Sequence, residues 1–185
     1  MDYSIVENLK LEDVIGTVRD LLQYSARSRI YLYDSKEVGR SIIIENTIGI
    51  GQDKMFCVEN TNKRDVFLLP IDGVLFKKDS KCDCVLIHNC EIDFIEFKSN
   101  AANRTNEAIY ENYRKASNQL LETLNEFRDM YSKLDMNLDD IAKIESYAVF
   151  NKTVPQDNAM RKNIAAKFLI ASNGIKLRFE NKKRI

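Results

Sequence analysis

Residues 81–99 read KCDCVLIHNCEIDFIEFKS, and the fold turns on how this stretch is paired. Two apolar, β-branched and aromatic runs meet at the polar tetrad His88-Asn89-Cys90-Glu91. Such runs on either side of a short polar turn predict a β-hairpin. With Asn89 and Cys90 as the turn, Ile87 falls opposite Ile92 and Val85 opposite Phe94. The same register sets Asp83 opposite Glu96. A four-residue loop from His88 to Glu91 leaves that pairing unchanged. Side chains alternate along a strand, so Asp83, Glu96 and Lys98 are expected on one face.

Directly opposed residues have Cβ atoms about 4.5–5.5 Å apart. Two carboxylates that close repel each other, and a hard cation between them removes the conflict. Mg²⁺, with Mn²⁺ as a substitute, suits such a pair, because it keeps several waters and needs few protein ligands. The Phe97 carbonyl, between Glu96 and Lys98 in the chain, is a further candidate ligand. A cation here would polarise a phosphate and acidify a bound water. Lys98 would hold or deprotonate that water and stabilise developing charge.

An acid-x-Lys triplet alone carries little information. The chain has four: Asp34-Ser35-Lys36, Asp79-Ser80-Lys81, Glu96-Phe97-Lys98 and Glu180-Asn181-Lys182. The first two read as turn-like and the last runs into the tail. The third alone ends an apolar strand with an acid registered across a hairpin.

Outward from the hairpin, Leu11, Val14, Ile15, Val18, Leu21 and Leu22 predict a first amphipathic helix over about 8–24. RIYLYD, SIIIEN, KMFCVEN, DVFLLP and DGVLF predict short strands up to about Phe76. After the hairpin, Ile109, Tyr113, Ala116, Leu120, Leu124, Phe127 and Tyr131 form one stripe of a helix over about 103–131. ESYAVFN predicts a strand. Pro155 then opens a helix with Met160, Ile164, Phe168 and Leu169 inward, closed by Asn173-Gly174. IKLRFE predicts a last strand. The expected architecture is α/β, a mixed central sheet flanked by helices, in one domain over 1–185.

Composition narrows the function. The 185 residues carry no run of the ~20 apolar residues that cross a bilayer, and the acidic start does not resemble a signal peptide, so the cytoplasm is expected. Cys57, Cys82, Cys84 and Cys90 read as reduced thiols. Lysines and arginines balance aspartates and glutamates at 28 each, yet residues 161–184 are strongly basic. A basic quarter on a neutral chain suits a polyanion, and Arg161, Lys162 and Lys167 are the expected phosphate contacts, with the Lys182-Lys183-Arg184 tail behind them. No Walker or dinucleotide glycine loop is present.

Asp83-Cys84-Val85-Leu86-Ile87, the hairpin, and Phe94-Ile95-Glu96-Phe97-Lys98-Ser99 resemble the D…(D/E)-x-K core of the PD-(D/E)XK nuclease superfamily. Cys82 stands where the family name has proline. The resemblance spans about residues 65–180. It implies a restriction-endonuclease-like fold and a metal-dependent endonuclease, acting on DNA ahead of RNA, with Asp83 and Glu96 on Mg²⁺ and Lys98 on the water. Members often carry a Gln or Lys on the following helix; Gln119 matches best and Lys115 less well. A further acid often comes from the first helix, where Glu7, Glu12, Asp13 and Asp20 are all candidates, and Asp72 is an auxiliary one. A homodimer or a partner protein that delivers substrate would fit so small a chain.

Two other readings stay open on the sequence. One keeps the fold as a catalytically silent subunit that binds nucleic acid or a partner protein. The other is a zinc-stabilised interaction module built on Cys82, Cys84, His88 and Cys90. In that reading Cys82 and Cys84 share a strand face opposite to Asp83; against it, the CxxC knuckle is missing and Ile95 and Phe97 are expected to pack over those thiols.

Overall fold

The computed structural model describes residues 3–45, 47, 49–51, 54–76, 81–98, 105–151 and 158–185. In chain order the elements are α1 (Ser4–Asn8), α2 (Leu11–Ile15), β1 (Gln23–Ser25), β2 (Arg29–Ser35), β3 (Arg40–Ile44), β4 (Met55–Glu59), β5 (Val66–Pro70), β6 (Cys84–His88) and β7 (Glu91–Lys98). There follow α3 (Asn106–Ser132), α4 (Leu138–Ile141), β8 (Lys143–Phe150), α5 (Asn158–Ala171), β9 (Leu177–Arg178) and β10 (Lys182–Arg184). The fold class is α/β, as the alternating periods predict.

The strands form two mixed sheets. The larger has the order β1-β5-β6-β7-β8-β9 and the smaller β10-β4-β2-β3. In the larger, β5, β6 and β7 make an antiparallel meander, and β8 returns parallel to β7. That return needs a crossover, and α3 supplies it. Thr105 caps α3 by accepting the Ala108 amide at 3.3 Å. All seven residues of the predicted stripe, from Ile109 to Tyr131, are buried against the sheet.

One correction concerns what covers the sheet. Helices α1, α2, α3 and α5 lie over one face only. The other face packs on the four-stranded sheet, through Val66, Leu68, Cys84, Leu86, Ile95 and Phe97 against Ile30, Leu32, Phe56 and Val58. The reason is legible in β5 to β7, which are apolar at odd and even positions alike. Strands buried on both faces need two covers, and the segment 29–59 supplies strands rather than helices.

Smaller departures have local causes. The predicted first helix is two short ones: Lys10 turns left-handed at φ 53° and Gly16 takes φ 84°, so residues beyond Ile15 leave the helical path. DGVLF is a turn closed by a single bridge between Asp72 and Phe76. Leu169 is 40% exposed rather than inward, whereas Ile164 and Phe168 are buried. The tail is not frayed: Lys182–Arg184 pair parallel with Cys57–Glu59. The helix before Asn173-Gly174 ends as predicted, with both residues at positive φ and the Gly174 amide on the Leu169 carbonyl. Pro155, Ser99, Asn103 and the Asp79-Ser80 pair lie outside the described residues. Among the described residues no helix is long and apolar enough to cross a membrane.

Candidate functional site

The hairpin has the predicted register. Ile87 pairs with Ile92, Val85 with Phe94 and Cys84 with Ile95. Asn89 accepts φ 46°, which lets the turn close on two residues. Asp83 is the next residue beyond the Cys84–Ile95 pair, on the side of Glu96. Its carbonyl takes the Ile71 amide at 2.9 Å, and its Oδ2 accepts the Phe97 N–H at 2.5 Å. Phe97 therefore touches the site through its amide, while its ring lies in the core between the sheets.

Glu96 is 1% exposed. Its Oε1 meets Lys98 Nζ at 2.5 Å, and its Oε2 is buried with no hydrogen-bond donor among the described residues. The Asp83 carboxyl lies within hydrogen-bonding reach of it. Burial pushes the Glu96 carboxyl up to about 7, against the pull of Lys98. Burial, then the charges of Glu96 and Asp34, push Asp83 well above the usual carboxylate range. Two crowded buried carboxyls that resist ionisation are what this register demands when no cation lies between them.

The helix α3 holds both halves of the site. Gln119 Oε1 accepts from Lys98 Nζ at 2.5 Å, and Gln119 Nε2 donates to the Lys81 carbonyl at 3.0 Å. One turn later Thr123 Oγ1 accepts the Cys82 amide at 2.8 Å and donates to the Gln119 carbonyl. The chain entering Asp83 is thereby tied to the helix that orients Lys98. Gln119 joins the site as predicted; Lys115, one turn earlier, is exposed on the helix flank.

Of the extra acids near the site, Asp72 is an expected candidate and Asp34 is not. Glu7 and Glu12 pair with Arg19 at the surface, at 3.0 and 2.8 Å, and Asp13 and Asp20 are exposed. The acids whose charge reaches Asp83 and Glu96 are Asp34 on β2 and Asp72 in the turn after β5. Asp34 belongs to a triplet that reads as turn-like. The overlooked signal is its spacing: Ile30, Leu32 and Asp34 share an inward period of two, with an acid in the third place.

The basic quarter divides. Lys162 and Lys167 are exposed. Arg161 is partly buried: its Nε donates to Tyr113 Oη at 3.0 Å, and its guanidinium lies over the rings of Tyr113 and Phe179. The four zinc-module residues do not converge. Cys82 packs under α3, Cys84 lies between the sheets, and Cys90 is exposed in the turn. The shared face fails because the ladder begins at Cys84, and the Thr123 bond draws the chain before it toward the helix.

A second polar centre occupies the other end of the same hairpin, on the opposite face. His88, Glu91 and Asp93 bring ligand atoms within 4.8 Å of one another. A cation already sits there: Lys183 Nζ lies 2.7 Å from Asp93, 3.0 Å from Glu91 and 3.4 Å from Glu145. Lys143 also pairs with Glu91, and Arg178 with Glu145. Burial opposes ionisation of Glu145, but Tyr147, Arg178 and Lys183 hold it down to about 2. A cleft of about 330 Å³ opens above this cluster, lined by Arg64, Tyr147 and Arg184 among others. None of its acids has a buried oxygen left without a hydrogen bond, whereas Glu96, although paired with Lys98, does.

No family model, curated protein or solved structure matches the chain.

Proposed function

We propose that this chain is a divalent-cation-dependent phosphodiesterase of the restriction-endonuclease-like fold, cutting nucleic acid internally, DNA ahead of RNA. The observation that carries the reading is the buried carboxyl pair of Asp83 and Glu96, brought together across a hairpin, with no backbone or side-chain N–H or hydroxyl among the described residues on Glu96 Oε2. Left ionised and unpaired, such a group costs several kcal/mol. A small cation between Asp83 and Glu96 removes that cost and has the oxygen ligands it prefers.

The rest of the site fits. The chemistry supplied by bound Mg²⁺, or Mn²⁺, is polarisation of the scissile phosphate and a lower pKa for a bound water. Asp83 and Glu96 would hold the ion, with the Phe97 carbonyl as a further ligand. The Lys98 ammonium has three donors; Glu96 and Gln119 take two, and one remains for the water or a phosphate oxygen. Gln119 fixes the lysine's aim. Exposed Lys115, Lys162 and Lys167 are the candidate contacts to the phosphate backbone, and they position without reading bases. An acid-x-Lys ending a central strand of a mixed sheet, followed by a long helix, is also what the resemblance to PD-(D/E)XK nucleases implies. The four-stranded sheet on the far face goes beyond it.

Supercoiled plasmid, linear DNA and RNA, each with and without Mg²⁺ or Mn²⁺, test the proposal. Metal-dependent nicking that Glu96→Gln abolishes supports it. Metal binding without cleavage of any of the three favours a silent nucleic-acid-binding subunit instead. Homodimerisation or a delivering partner protein would show as cleavage that depends on concentration or on added extract.

A further inference from the structure

The β2–β3 hairpin belongs to the second sheet, yet its closed end comes up beside the candidate cation site. Three contacts place it there. Asp34 pairs with Ser41 across the hairpin. The buried Ser41 hydroxyl comes near the Cys84 thiol, one residue from Asp83, without a hydrogen bond to it. Gly39, in the hairpin turn, stands so near the turn after β5 that a Cβ on Gly73 would lie 3.9 Å from the Gly39 carbonyl oxygen. Along β2, Ile30 and Leu32 point inward into the core between the sheets, and Asp34 continues that row to its end.

An acid in such a row costs stability unless something draws on its charge. Burial, then the charge of Asp72, pushes the Asp34 carboxyl up, and Lys36 and Lys98 pull it back. No protein donor or ion pair satisfies it among the described residues. Glu96 Oε2, buried and with no N–H or hydroxyl donor among the described residues, is the independent sign that a ligand belongs at this end of the sheet.

We propose that Asp34 is the third carboxylate of the cation centre at Asp83 and Glu96, acting on the ion's water shell from the second sheet. This rests on the cation-site reading above. Asp34 is assigned an outer position because, among the described residues, no third acid joins Asp83 and Glu96 with oxygens all inside 4.8 Å. Mg²⁺ and Mn²⁺ retain waters, so a carboxylate one shell out still orients and anchors them. The role would also explain why a β-hairpin is brought to this end of the sandwich: it closes the site from below the sheet, while α3 closes it from above.

The test is Mn²⁺ binding to the full chain without nucleic acid, measured by calorimetry and by the rise in melting temperature on adding Mn²⁺. Wild type, Asp34→Asn, Asp34→Glu, Glu96→Gln and Glu37→Gln are compared; Glu37 is an exposed acid on the same hairpin. Loss of an outer-shell partner costs ~10–100-fold in metal affinity. Asp34→Asn is expected to weaken Mn²⁺ binding at least ~10-fold, with Glu37→Gln unchanged and Asp34→Glu in between. The metal-induced melting shift is a difference within each variant, so altered basal stability does not hide the result. Wild-type affinity in Asp34→Asn, with binding lost in Glu96→Gln, overturns the role of Asp34 and leaves the site standing. Absence of Mn²⁺ binding by wild type overturns the site itself.

Discussion

Asp83 accepts the Phe97 N–H through Oδ2, so the first acid of the site is fastened to the backbone of the strand that carries the second. The bond fixes the separation of the two carboxyls whether or not a cation is present. It also separates two substitutions. Asp83→Asn keeps an oxygen acceptor for Phe97 and should fold like wild type; Asp83→Ala loses the tie and should melt lower. Both should abolish metal-dependent nicking of plasmid, as should Glu96→Gln and Lys98→Met. Wild-type nicking by any one of them would remove that residue from the mechanism.

The raised Glu96 carboxyl gives a pH signature. It titrates near 7 in the fold against 4.5 ordinarily. Between those values the metal-free folded state holds more protons than the unfolded chain, so this contribution to stability is full below about 4.5 and is lost as pH rises through about 7. Glu96→Gln removes it. The variant should match wild type near pH 5 and exceed it at pH 8 by about 1–3 kcal/mol. Urea unfolding of both proteins at the two pH values measures the difference, and equal stabilities at pH 8 would refute the assignment. Added Mn²⁺ should act oppositely, stabilising wild type more as pH rises, because the ion needs ionised carboxylates.

Lys183 is an internal counter-ion rather than a phosphate contact. Lys183→Met would leave the buried Asp93 without its ammonium, while Glu91 keeps Lys143 and Glu145 keeps Arg178, and removing one partner of a buried pair costs ~3–5 kcal/mol. Asp93→Asn should recover part of the loss in the double variant. Denaturant unfolding of the four-protein cycle reads the coupling directly; additive losses would mean that the ammonium and Asp93 do not interact.

The basic face should split by residue. Lys162→Gln with Lys167→Gln is expected to leave the melting temperature alone and to make the salt dependence of duplex binding shallower by roughly two units, one per phosphate contact. Arg161→Ala should instead lower stability by about 1–2 kcal/mol, because its guanidinium packs on Tyr113 and Phe179. Binding is measured in Ca²⁺ across a salt series. An unchanged slope in the lysine variant would assign that face to ordinary solvated surface.

What the sequence determined by itself is local. A two-residue turn at Asn89-Cys90 leaves one register between the flanking strands, so the approach of Asp83 to Glu96 and Lys98 could be read before any coordinates. The stripe from Ile109 to Tyr131 was equally legible, because the helical period places every apolar side chain of a turn on one line. Gln119 was expected from the resemblance to PD-(D/E)XK nucleases, not from the period. Tertiary structure decided the rest. Whether helices or strands cover the second face of β5 to β7 depends on segments far away in the chain, and both covers satisfy the same apolar surface. Asp34, in a triplet that looks like any turn, reaches the site only because its hairpin docks under Cys84. Lys183 looks like one charge in a basic tail until β10 pairs with β4 and turns its side chain inward to three acids. These are contacts between residues 49 to 125 positions apart, set by which surfaces pack together, and local periodicity contains no record of them.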